Sequence, residues 1–125
     1  NRKKIKDILR KIFNNYNFKD FDLIIDDGSH QLSDILYSLK FFFKYLKKDG
    51  IFVIEDYKHP NYYKYNNDID HILVDELLKN LKEKRNFKSS LFTNDDQLYF
   101  FGKISKIETY EGNLNDSNIC FIKKS

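Results

Sequence analysis

Residues Asp26, Asp27, Gly28, Ser29 and His30 stand together at the end of an apolar run, and Glu55 and Asp56 end a second one. Carboxylates brought together from two strand tips repel one another unless protons or a cation intervene. A hard divalent ion such as Mg²⁺ suits carboxylate oxygens and usually keeps several waters. Asp27, Glu55 and Asp56 lie at the ends of the apolar runs and are the expected ligands. Asp26 still belongs to its strand and is read as fixing backbone or a cofactor. Gly28 allows a sharp turn and a close backbone approach, and Ser29 is expected to cap the helix that follows. His30, three residues after Asp27, places an imidazole where a general base is needed. Acidic residues after a strand also serve as caps or solvated turns. Two consecutive strands that end this way, one of them followed by a histidine, favour chemistry over a solvated turn.

The elements that must position these residues follow from periodicity. Ile5, Ile8, Leu9, Ile12 and Phe13 repeat at helical spacing and predict an amphipathic helix over 2–15. The run Phe21–Asp26 predicts a strand covered on both faces. Ile35, Leu36, Leu39, Phe42, Phe43 and Leu46 predict a second helix from Leu32, ending in Lys-Lys-Asp-Gly with Gly50 as its cap. Ile51–Ile54 predicts the next strand. Helix, strand, helix, strand makes a right-handed crossover between parallel strands, so both acidic tips fall on one sheet edge. In open α/β sheets that carboxyl edge is where ligands bind. Residues 57–68 read as a loop, whose Tyr57, Tyr62, Tyr63 and Tyr65 either cover a ligand or lie on the surface. A third helix is expected from Ile69 to about Arg85. Residues 86–103 carry no clear pattern, and 105–111 and 118–124 read as an antiparallel strand pair. His59 falls in the loop and His71 on the third helix, neither with a spacing partner.

Composition bounds the functional classes. The chain has 125 residues with 41% hydrophobic and 17% aromatic side chains, enough for one globular domain. A net charge of +3 is too small to argue for nucleic acid. No apolar run approaches the roughly 18 residues of a membrane span, and no signal peptide precedes the first helix. A cytoplasmic protein is the default expectation, and a homo-oligomer is compatible with the sequence. The single cysteine, Cys120, excludes an internal disulfide and is expected to be a buried thiol. The first residue is not methionine, which suggests a fragment or an excised domain.

The segments "DLIIDDGSH", "LKKDGIFVIEDY" and "DSNICFIKK" together resemble the later part of a class I S-adenosylmethionine-dependent methyltransferase. The likeness is to the Mg²⁺-dependent sugar O-methyltransferases of macrolide biosynthesis (macrocin and mycinamicin type) and the related cephalosporin hydroxylase group. It is good over residues 21–57 and plausible for the last two strands. It implies a Rossmann-like α/β fold, S-adenosylmethionine and Mg²⁺ as cofactors, and a hydroxylated small molecule, such as a sugar, as acceptor. It also implies Asp27, Glu55 and Asp56 as metal ligands and His30 as the base, the same assignment that the strand ends suggest. One departure matters: no glycine precedes Gly28, so the glycine-rich cofactor turn of that fold is absent. The resemblance therefore implies the C-terminal half of such a domain over 1–125. A non-catalytic interaction module and a hydroxylase-type relative are the alternatives.

Overall fold

A computed structural model of the chain describes residues 2–15, 20–58, 70–114 and 117–125. The elements run α1 (Arg2–Asn15), β1 (Phe21–Asp26), α2 (Leu32–Phe42), a 3₁₀ turn (Phe43–Tyr45), β2 (Leu46–Glu55), α3 (Val74–Glu83), α4 (Asn94–Lys103), β3 (Ile104–Glu111) and β4 (Asn118–Lys124). The sheet order is β1-β2-β4-β3. β1 and β2 are parallel, with Asp26 opposite Ile54. β4 runs antiparallel to both β2 and β3. The crossover through α2 thus delivers both acidic tips to one edge, as the sequence predicts.

One face of the sheet carries the core. Phe52 and Ile54 of β2 and Cys120 and Ile122 of β4 are fully buried, joined by Ile107 of β3. Against them pack Leu32, Leu36 and Leu39 of α2, Leu77 and Leu81 of α3, and an aromatic group in which Phe100 contacts Phe43 and Phe92. Lys40 ties α2 to the start of α4, donating to the Leu91 carbonyl and pairing with Asp96. Buried Asp70 anchors the segment that leads into α4. Its carboxylate accepts from the Ser89 hydroxyl and from the backbone N–H groups of His71, Ser90 and Leu91.

Several expectations are corrected. β1 is covered on one face only: Leu23 and Ile25 are 52% and 56% exposed, because among the described residues no helix lies over that side and β1 is an edge strand. The second helix stops at Phe42, and Lys47–Gly50 belongs to β2, where the pairing with β1 shifts between Phe21 and Leu23. Gly50 is therefore no helix cap. Its φ is not positive, and Asp49 takes the left-handed conformation instead. What requires glycine is close approach, since a Cβ there would sit 2.9 Å from the carbonyl oxygens of both Lys47 and Phe21. The third helix starts at Val74, so His71 precedes it in a bend. The unassigned stretch 86–103 holds α4, started by a capping box between Thr93 and Asp96. Tyr57 does not lie on the surface. It is 3% exposed and bonded through its phenol to Thr109. His59, Tyr62, Tyr63 and Tyr65 lie outside the described residues. Among the described residues no helix is long and apolar enough to cross a membrane.

Candidate metal and acid–base site

The DDGSH turn is built by short-range hydrogen bonds that reverse the chain between β1 and α2. Asp26 Oδ1 accepts from the Gly28 N–H at 3.2 Å. The Ser29 hydroxyl donates to Asp34 Oδ2 at 2.6 Å and accepts weakly from the Gln31 N–H. The N-cap of α2 is Gln31, without a side-chain cap bond. Ser29 thus anchors the first helical turn through Asp34 rather than capping it. His30 has φ 60° and Asp56 φ 54°. Left-handed conformations cost non-glycine residues energy and cluster at functional sites. Here they aim two side chains across one short gap between the tips of β1 and β2.

His30 Nε2 lies 3.8 Å from Asp27 Oδ1. One ligand atom each from Asp27, His30 and Asp56 falls within 4.8 Å of the others. Glu55 adjoins this group through a side-chain hydrogen bond with Asp27, and its carboxyl is held above the ordinary value, first by the negative charge of Asp27. Like charges pressed together in this way are what a bound cation would neutralise. The donor set of carboxylates therefore fits a hard divalent ion. Asp56 is fixed from behind, its N–H donating to the Asn118 carbonyl at 2.7 Å.

Asp26 faces the other way. Strand pairing sets it opposite Ile54, on the helix-covered side, and burial pushes its carboxyl up. The Gly28 N–H, the nearby His30 and the Ser38 hydroxyl pull in the opposite sense and do not prevail. Its Oδ2 is buried and makes no hydrogen bond. The Asn118 amide is likewise buried with neither polar atom paired. An apolar groove of about 410 Å³ opens beside the turn between α1 and α2, lined by Ile5, Leu9, Tyr37 and Phe41, with Asp34 and Ser38 at its polar side.

The structure thus brings together Asp27, His30, Glu55 and Asp56, and keeps Asp26 apart on the opposite face. Sequence reasoning misses Asn118 and Asp34. The serine-to-aspartate spacing of Ser29 and Asp34 could have been noticed. Asn118 comes beside Asp56 only through the antiparallel return of β4, which no local pattern announces.

No protein-family model matches the sequence, and no curated protein does. Among solved structures, the chain is similar to the MycE methyltransferase from the mycinamycin biosynthetic pathway in complex with Mg and SAH. The TM-score is 0.63 at 24% identity, over 95% of this chain and 29% of that one. The same enzyme with Mg, SAH and mycinamycin VI aligns with a TM-score of 0.63 at 23% identity. The likeness shows a partial Rossmann-like methyltransferase fold. The chain spans under a third of the length of these structures.

Proposed function

We propose that this chain is the C-terminal half of an S-adenosylmethionine-dependent, Mg²⁺-assisted O-methyltransferase that acts on a hydroxyl of a sugar or similar small molecule. The observation that carries the proposal is the meeting of Asp27, Glu55, Asp56 and His30 at the carboxyl edge of two parallel strands. The shared fold supports it, since the similar structures are of a methyltransferase with Mg and SAH, in one case with a macrolide as well. The half-domain assignment is supported by the bare face of β1, whose apolar residues suit a strand inside a wider parallel sheet.

In this reading Asp27, Glu55 and Asp56 would hold the ion, and Asp26, with its buried, unpaired oxygen, would be the residue that contacts the cofactor. When bound, S-adenosylmethionine supplies the methyl group, and Mg²⁺ supplies Lewis acidity that lowers the pKa of an acceptor hydroxyl. The remaining work falls to the chain. A neutral alcohol is a poor nucleophile, so its proton must leave as the methyl group is transferred. His30 Nε2 takes that proton, because an imidazole has suitable basicity near pH 7. The left-handed backbone at His30 and the Ser29–Asp34 bond shape the turn that carries the ring, which places it beside the carboxylates before the acceptor arrives.

The test is calorimetric titration of Mg²⁺ into the chain and its Asp27→Asn variant, with labelled methyl transfer to sugar-bearing acceptors in the protein that carries the chain. Loss of metal affinity and of methylation together is expected for the variant. Wild-type protein that binds no Mg²⁺, or an Asp27→Asn variant that methylates normally, would refute the assignment.

A further inference from the structure

His30 stands among the carboxylates at a spacing compatible with metal ligation. Its Nε2 is 3.8 Å from Asp27 Oδ1, and the donor atoms of Asp27, His30 and Asp56 all lie within 4.8 Å of one another. Around a tetrahedral ion with short bonds, donor atoms stand roughly 3.4 Å apart. Ligation therefore requires the side chains to draw together, and Asp27 at 58% and His30 at 28% exposure are not locked by packing. Glu55 is not in this trio, although it touches Asp27. The trio therefore differs from the three-carboxylate set in one donor, with an imidazole nitrogen in place of a carboxylate oxygen.

Metals distinguish these donors. Carboxylate and water oxygens suit Mg²⁺, whereas imidazole suits later first-row ions such as Co²⁺, Ni²⁺ and Zn²⁺, with affinity at a given nitrogen–oxygen site rising to Cu²⁺ and falling back at Zn²⁺. We propose that the cluster contains two alternative ligand sets sharing Asp27 and Asp56: Glu55 completes the set for Mg²⁺, and His30 completes it for a borderline ion such as Zn²⁺ or Co²⁺. The Glu55 set rests on the function proposed above; the His30 set rests on the geometry of the trio. Three protein donors leave one position open, the usual form of a labile or catalytic zinc site. With His30 engaged as a ligand, its nitrogen is not available to take a proton. A borderline ion then inhibits methyl transfer while binding more tightly than Mg²⁺.

Cobalt(II) is the probe, because its visible absorption reports donor type and coordination number. Co²⁺ added to the chain should give the strong bands of a low-coordinate site containing nitrogen, and Zn²⁺ should abolish them stoichiometrically. His30→Ala should weaken Co²⁺ binding by at least about tenfold, leaving Mg²⁺ affinity within about twofold. Glu55→Gln should do the reverse. His30→Gln is measured in parallel, with circular dichroism to establish that each variant is folded. Absence of Co²⁺ binding by the wild type, unchanged Co²⁺ affinity in both His30 variants, or equal losses for both ions in every variant would overturn the proposal. If Co²⁺ behaves as expected but Mg²⁺ does not bind the wild type, the methyltransferase assignment fails and the His30 site stands.

Discussion

Cys120 and Tyr57 lie on the packed side of the sheet, and burial raises both. The thiol is pushed up to about 12 from 9.0, and the phenol to about 12 from 10.0. In each case the folded state favours the neutral form. The stability this contributes is complete below the unfolded value and is lost as pH rises through the folded one. The chain should therefore lose melting temperature between about pH 9 and pH 12, and Cys120→Val should lose less across the same range. A thermal scan series from pH 8 to pH 11.5 checks this, and identical slopes for both proteins would remove Cys120 from the account. The same burial keeps the thiolate from forming near pH 7, so alkylation of native Cys120 should be slow. At the site, His30→Ala in the protein that carries this chain should lower kcat by about 10²–10⁴. Loss of kcat and kcat/KM together would mark an interaction made in the transition state. A variant that melts earlier but turns over normally per folded molecule would assign His30 to packing alone.

The elements show what the sequence could announce. β1, β4 and α1 carry patterns with one interpretation, and their bounds agree with expectation. The acidic tips were legible because each directly follows such a run. β2 was less so. Its first half, Leu46–Gly50, looks like a basic helix end closed by glycine, yet the glycine serves the approach of the β1 backbone, a tertiary demand with no local sign. α4 was hidden for another reason. Its residues have no clean apolar stripe, and only Gln97 and Phe100 are buried. Its start was nevertheless written in Thr93 and Asp96. The Thr93 hydroxyl accepts from the Asp96 N–H, and the Asp96 carboxylate accepts from the Thr93 N–H. Thr93→Ala should cost about 1 kcal/mol of unfolding free energy, measurable by urea denaturation. Because Asp96 also pairs with Lys40, Asp96→Ala should cost more than Thr93→Ala. Equal losses would mean that the α2 contact contributes nothing.

At the scale of the whole molecule, the described helices cover one face of the sheet, and the opposite face is exposed at β1 although Val53 of β2 is buried there. Ile24, Phe52 and Ile54 project toward the helices, while Leu23 and Ile25 project away from them and stay more than half exposed. β1 is also the outermost strand among the described residues, and an edge strand is a template for further strands. α1 repeats the asymmetry, with Ile5, Ile8 and Ile12 exposed on a helix whose other faces are basic. If the chain is half of a wider parallel sheet, this is the surface that the other half covers, and alone the chain should bind S-adenosylmethionine weakly or not at all. Micromolar affinity in calorimetry would contradict that. The bare face makes a sharper prediction through stability. A lysine on an already exposed position removes little buried area, so Ile25→Lys should leave the melting temperature of the isolated chain nearly unchanged. It should also reduce self-association in light scattering by placing a charge beside the open edge. Ile54→Ala, by contrast, empties a fully buried site on the opposite face and should cost about 2–5 kcal/mol. Equal destabilisation by the two substitutions would show that the Leu23–Ile25 face is covered within the chain itself, and the half-domain proposal would lose its structural support.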